Sequence, residues 1–98
     1  MELVKTKERT LVRRTGVTIS TRIDSAKTVA VSGDFSQWCP VGIPLERNGD
    51  DQWHVWLDLR PGEYQYRLLV NGRWCDHPEA TRRVPNGFGT QNCVLSVE

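Results

Sequence analysis

Alternation of apolar and polar positions with a period of two dominates the chain. Gly16–Arg22 reads GVTISTR, with Val17, Ile19 and Thr21 on one side and Thr18, Ser20 and Arg22 on the other, the pattern of a half-buried strand of β-branched residues. Thr28–Ser32 reads as the next strand, and the short polar Asp24-Ser25-Ala26 between them suits a hairpin-type turn. In Gln52–Leu59 the residues Trp53, Val55, Leu57 and Leu59 share one face, and Gln52, His54, Trp56 and Asp58 share the other. Arg60-Pro61-Gly62-Glu63 turns the chain into Tyr64–Val70, where Tyr64, Tyr66, Leu68 and Val70 oppose Gln65, Arg67 and Leu69, and the two strands are expected to pair as an antiparallel hairpin. Asn71-Gly72 is a tight-turn signal leading into Arg73 and Trp74 at the start of a short returning strand. Pro78, Pro85, Gly87 and Gly89 then punctuate a long loop, and Asn92–Val97 closes the chain as a last strand.

No window of a dozen residues repeats apolar positions at helical spacing, and there is no room for crossover helices between the strands. Six or seven short strands separated by turns therefore predict an all-β fold, an immunoglobulin-like antiparallel β-sandwich. The antibody-type Cys-Trp-Cys spacing is missing, and a small barrel fits the same pattern. At 98 residues the chain is the size of one domain. Residues 1–10 are expected to be a flexible N-terminal segment and residues 11–98 the single sandwich domain.

The formal charge of +1 supplies no field for nucleic acid or an anionic membrane. Lys5, Lys7, Arg9, Arg13 and Arg14 crowd the first fourteen residues without interleaved aromatics, which reads as a solvated start rather than a nucleic-acid arm. No apolar run approaches the roughly 18 residues of a membrane helix, and charged residues follow Met1 where a signal peptide would be apolar, so a cytoplasmic protein is expected. Cys39, Cys75 and Cys93 are odd in number and form no CxxC pair, so they are read as reduced packing thiols; neither a metal nor another cofactor is expected.

Four tryptophans in so short a chain need sorting. Trp53 shares a face with Val55, Leu57 and Leu59 and belongs to the core. Trp38 lies in the loop Gly33-Asp34-Phe35-Ser36-Gln37-Trp38, and Trp74 follows the Asn71-Gly72 turn, so neither sits on an alternating apolar face. A loop indole suits a sugar, because the C–H face of a pyranose can be buried on the ring while its hydroxyls bond to polar neighbours. Two such rings could grip a curved chain of glucose. The residues alone leave open whether they do so or simply cap the ends of the sandwich.

The segments SGDFSQW, GEYQYRLLVNGRW and PNGFGTQN, in this order and spacing, resemble the glycogen-binding module of AMP-activated protein kinase beta subunits, in the glycogen- and starch-binding module family 48. That family also includes the early-set domains of isoamylases and branching enzymes. The resemblance runs from about Thr28 to Val97. It implies binding of α-1,4-glucan as polysaccharide or oligosaccharide, with a glycogen-metabolising enzyme or kinase as the partner served. It also implies that Trp38 and Trp74 are stacking platforms, that Arg67 stands where the kinase module has a hydroxyl-binding lysine, and that Phe88 stands where a leucine pierces the sugar ring. Thr90 and Asn92 match the threonine and asparagine that hydrogen-bond glucose hydroxyls, which suits groups able both to donate and to accept. The chain departs from the family at Arg67, at Asn71 where an aspartate is usual, and at Asp76-His77, which inverts the His-Asp order before Pro78. An arginine fork and a broad Phe88 ring alter sugar geometry, so affinity and chain-length preference follow this sequence rather than the family.

Catalysis is not expected. Asp34, Asp58, Asp76, Glu63 and Glu79 fall in turns or on exposed strand faces, and so small a sandwich cannot enclose a sugar between two carboxylates. His54 and His77 have no nucleophile in a recognisable motif and read as satisfied surface histidines. A scaffold domain is the alternative to glucan binding, with Trp56 and Leu69 forming an apolar interface on the outer sheet.

Overall fold

The computed structural model describes residues 15–98. The expected flexible segment, the basic cluster and residues 11–14 of the expected domain lie outside the described residues. From Thr15 onward the chain forms nine strands and one 3₁₀ turn, with no α-helix among the described residues: β1 Gly16–Arg22, β2 Val29–Gly33, the 3₁₀ turn Asp34–Ser36, β3 Ile43–Pro44, β4 Glu46–Arg47, β5 Gln52–Asp58, β6 Gly62–Val70, β7 Arg73–Cys75, β8 Arg83–Pro85 and β9 Gln91–Val97.

Every pairing is antiparallel. The smaller sheet has the order β1-β5-β4, and the larger has β3-β2-β6-β9-β8 with β7 also on β6. The two sheets face each other as a sandwich. Alternation assigns the inner faces: Ile19, Trp53 and Leu57 of the small sheet meet Val29, Val31, Tyr66, Leu68, Cys93, Leu95 and Val97 of the large one. Val31, Leu68 and Cys93 are fully enclosed, and each enclosed aliphatic side chain stabilises the fold by about 1.5–3 kcal/mol.

The connections depart from expectation. β5 and β6 lie in different sheets and form no hairpin. Both carry a full apolar face, and the two faces are buried against each other across the interior, with the chain crossing between sheets at Arg60–Gly62. Leu59 N donates to Thr15 O at 3.2 Å, and Tyr64 Oη donates to Arg60 O at 2.7 Å, closing that corner. The Asp24–Ala26 segment is likewise a crossing and not a hairpin turn. It is stitched to two turns, since Ser25 N donates to Asp51 Oδ1 at 3.2 Å, while Lys27 N and Thr28 N donate to Asn71 Oδ1 at 2.7 and 3.1 Å. Asn71-Gly72 is the tight hairpin turn its sequence predicts, both residues having positive φ (53° and 81°).

Three further expectations are corrected. Leu69 is buried and Trp56 lies on the other sheet, so they form no common outer patch. Cys39 is exposed and not a packing thiol; all three cysteines are free. His77 is buried between the sheets, because its ring satisfies groups on both: its Nδ1 lies 2.6 Å from Tyr66 Oη and its Nε2 2.9 Å from Ser20 O. A carbonyl can only accept, so Nε2 carries a proton and donates to it; Nε2 also lies 3.4 Å from Glu79 Oε1. Burial raises the Tyr66 pKa well above that of an ordinary tyrosine, and the phenol stays a donor.

Glu79 anchors the β7–β8 connection to the edge of β1, accepting from Thr21 Oγ1 at 2.7 Å and from Arg22 N at 3.2 Å. Burial opposes its charge, but these two donors, its own backbone N–H and the His77 ring together outweigh that effect and hold its pKa below the usual glutamate value. A carboxyl whose folded pKa is depressed contributes stability that is present above the unfolded pKa and lost as pH falls through the folded one. Urea denaturation is therefore expected to show declining stability on acidification through and below the ordinary glutamate range. Glu79→Ala should cost about 1 kcal/mol at neutral pH and flatten part of that decline.

Candidate functional site

β6 changes partners halfway along one edge. β9 pairs with it from Gly62↔Val97 to Tyr66↔Cys93, and β7 takes over at Leu68↔Cys75. Arg67 sits at the changeover, its side chain on the outer face of the large sheet. Asn92 precedes Cys93 on one side of the gap, and Trp74, opposite Leu69, stands on the other. The antiparallel registers thus converge an arginine, an asparagine and an indole on one patch.

The β2–β3 loop supplies the second indole. Gly33 is required at its start by close approach, since a Cβ there would strike Gln65 O and come within 2.8 Å of Tyr66 Cα. Ser32, fully buried, donates through Oγ to Cys39 O at 2.7 Å and pins the far end of the loop to the sheet. Between them Gln37 and Trp38 both take left-handed backbone (φ 56° and 55°), at about 1–2 kcal/mol each for a non-glycine residue. That cost is offset by Trp38 N donating to Gly33 O at 3.0 Å and by Asp34, whose Oδ1 accepts from Trp38 Nε1 at 3.1 Å and Oδ2 from Gln65 N at 2.8 Å. One carboxylate thereby ties the indole to β6. The Trp38 and Trp74 ring centroids lie 6.1 Å apart with planes inclined at 46°. Trp38 is half-buried, while Trp74 is exposed.

The resulting cleft of about 450 Å³ is lined by Trp38, Arg67, Trp74, Asn86, Phe88, Thr90 and Asn92. The structure thus brings together all six residues expected from the sequence. Arg67 is not a solvated arginine: its side chain is 16% exposed, and Nη2 donates to Asp76 Oδ1 at 3.2 Å. Asp76 also faces Arg83 Nη1 at 3.9 Å. The Arg67 Nε–H is buried and has no partner. Phe88 is 88% exposed, at the tip of the β8–β9 loop. Asn86, which sequence reasoning missed as a lining residue, spans that loop: Nδ2 donates to Thr90 Oγ1 at 2.7 Å and to Asn92 Oδ1 at 3.0 Å, and Oδ1 accepts from Phe88 N at 2.9 Å. Its only sequence signal is the turn dipeptide Asn86-Gly87. The positioning by Asp34 and Asp76 was missed too, because both act on residues distant along the chain or through a loop conformation.

No carboxylate lines the cleft, and no cluster of three or more metal-ligating side chains occurs among the described residues. Cys39, next in sequence to Trp38, is exposed, and backbone N–H groups of Gly42 and Val41 lower its pKa.

An open aromatic cleft on one sheet of a β-sandwich has the form of a recognition surface. Residues 18–98 match the family described as the glycogen recognition site of AMP-activated protein kinase, and the chain belongs to that family. It is 36% identical over 72 residues to AMP-activated protein kinase subunit beta-1 of Sus scrofa, a match covering 74% of this chain and 56% of that protein. It is 35% identical over 75 residues to subunit beta-2 of Mus musculus, covering 76% of this chain and 27% of the relative. The chain thus spans about half the length of the first relative and about a quarter of the second.

Two indoles at this separation and tilt should give an exciton couplet in the near- and far-ultraviolet circular dichroism. Trp38→Ala and Trp74→Ala should each abolish it, and Asp34→Ala should weaken it without unfolding the protein.

Proposed function

We propose that the chain binds α-1,4-glucan, as glycogen, starch or maltooligosaccharide, in the cleft between Trp38, Trp74 and the 86–92 loop, and that it performs no chemistry on it. The observation that carries this reading is the pair of indoles inclined at 46° beside the polar groups of Arg67, Thr90 and Asn92. An α-1,4-glucan curves, so successive pyranose rings present their C–H faces at an angle, and a tilted pair of flat rings can cover both faces while the polar side chains take the hydroxyls. In this reading Trp38 and Trp74 stack, Arg67 donates to hydroxyls from a position fixed by Asp76, Phe88 closes the outer side with its ring, and Thr90 and Asn92 hydrogen-bond the rim. The family match over residues 18–98 supports the same ligand.

Each stacked indole contributes about 1 kcal/mol beyond area burial, which places a single module in the micromolar-to-millimolar range. On a branched polymer many copies bind at once, so a weak module suffices to hold an attached protein near glucan. We infer a targeting role of this kind, serving a glycogen-metabolising enzyme or a kinase. The relatives that carry a matching segment are kinase subunits. The three unpaired cysteines suit the reducing cytoplasm as its place of work.

Titration calorimetry with maltoheptaose tests the reading. The native protein should bind, and Trp38→Ala or Trp74→Ala, shown to be folded by circular dichroism, should lose about tenfold or more in affinity. Flat titrations for the native protein would remove the sugar reading.

A further inference from the structure

We infer that Asn86 is the positioning residue of the cleft, setting Thr90 and Asn92 as donors toward the ligand. The inference rests on the reading of the cleft as a glucan site and names a determinant of its specificity. A neutral asparagine amide has two N–H donors and one carbonyl acceptor. In Asn86 both protons are committed, one to Thr90 Oγ1 at 2.7 Å and one to Asn92 Oδ1 at 3.0 Å. Its carbonyl accepts from Phe88 N at 2.9 Å, and its own backbone N–H donates to Thr90 O at 3.2 Å.

The consequences are directional. Thr90 Oγ1 accepts from Asn86 and is left with its hydroxyl proton to give. Asn92 is fixed by two partners, since its Oδ1 accepts from Asn86 and its Nδ2 donates one proton to Gln65 Oε1 at 3.0 Å; the second Nδ2 proton is spare. Arg67 on the facing side can only donate. The polar groups therefore face the cleft with donors, and the ligand they fit is one that offers oxygen lone pairs, as sugar hydroxyl and ring oxygens do. Asn86 reaches this outcome with its amide protons already committed within the loop: one side chain fixes the amide sense of Asn92, the rotor of Thr90 and the backbone turn that carries Phe88.

Asn86→Asp separates the two halves of this role. An aspartate still accepts from the Phe88 N–H, so the turn keeps its shape, but it has no proton for Thr90 or Asn92. Thr90 must then spend its proton on residue 86, and the Asn92 amide must either face an oxygen or turn over and present its Oδ1 to Gln65. Calorimetry with maltoheptaose is run on native protein, Asn86→Asp, Thr90→Val and the double variant, with amide exchange of Phe88 followed by NMR. The expected result is protection of the Phe88 amide retained in Asn86→Asp, affinity reduced about tenfold, and a combined loss in the double variant smaller than the product of the single losses by about threefold or more. Binding by Asn86→Asp equal to native, or losses that simply multiply, would overturn the role of Asn86 while leaving the glucan reading intact. A native protein that gives no heat overturns the glucan reading, and this inference with it. If Asn86→Asp loses the Phe88 protection, Asn86→Ser takes its place: it can donate to only one of the two partners and should bind between native and Thr90→Val, and binding no weaker than native would overturn the inference.

Discussion

The exchange of partners along one edge of β6 is the constraint on which the cleft depends. β9 leaves after Tyr66, β7 arrives at Leu68, and the residue between them, Arg67, is flanked by the two strand ends. A sheet continuous at this point would bury the same edge in a ladder and leave the outer face flat. The gap instead places Asn92 on one side of Arg67 and Trp74 on the other, both on rigid strands, and leaves the β8–β9 loop to rise beside them. Since β6 also enters the core through Tyr66 and Leu68, the position of the cleft is fixed by the same packing that holds the two sheets together.

Around this rigid floor the chain uses carboxylates for orientation rather than chemistry. Asp34 binds the Trp38 indole and the β6 backbone together, Asp76 holds Arg67, and Glu79 secures the connection between β7 and β8 to the far sheet. The left-handed pair Gln37 and Trp38 is the local strain that this arrangement sustains. His77, buried a single residue after Asp76, joins Tyr66 on the large sheet to Ser20 on the small one. The segment bearing the Arg67 partner is thus anchored to both layers of the sandwich. A pre-set side-chain arrangement of this kind lowers the ordering cost of binding, which matters for a shallow cleft with few contacts.

Which residues face inward was legible from alternation alone: Val17, Ile19 and Thr21, then Trp53, Val55 and Leu57, then Tyr64, Tyr66, Leu68 and Val70 all point as their period of two requires. Which strands pair was not, because a period of two is the same in a hairpin and in a chain that crosses between sheets. The turn after β5 was misread for that reason, and so was the one after β1; only Asn71-Gly72, whose two residues accept positive φ, announced its geometry. The two-residue strands β3 and β4 and the edge strand β8, with Pro85 in it, are too short for any periodicity to show. At the site, Trp38 and Trp74 stood out because they broke the alternation, and the family resemblance pointed to the other four. Asn86 and Asp34 remained hidden because their roles are made by loop conformation. His77 was misjudged because its neighbours in sequence are polar, while its partners, Tyr66 and Ser20, are remote.

The four tryptophans provide the most direct test of where the glucan binds, because each carries one indole N–H and they lie in different places: Trp38 and Trp74 at the cleft, Trp53 in the core, Trp56 on the opposite sheet. In a ¹⁵N-labelled protein titrated with maltoheptaose, the Trp38 and Trp74 indole signals should move together with the backbone amides of residues 86–92, while Trp53 and Trp56 stay in place. Movement of Trp56 with Trp38 and Trp74 unmoved would contradict the account and shift the binding surface to the smaller sheet.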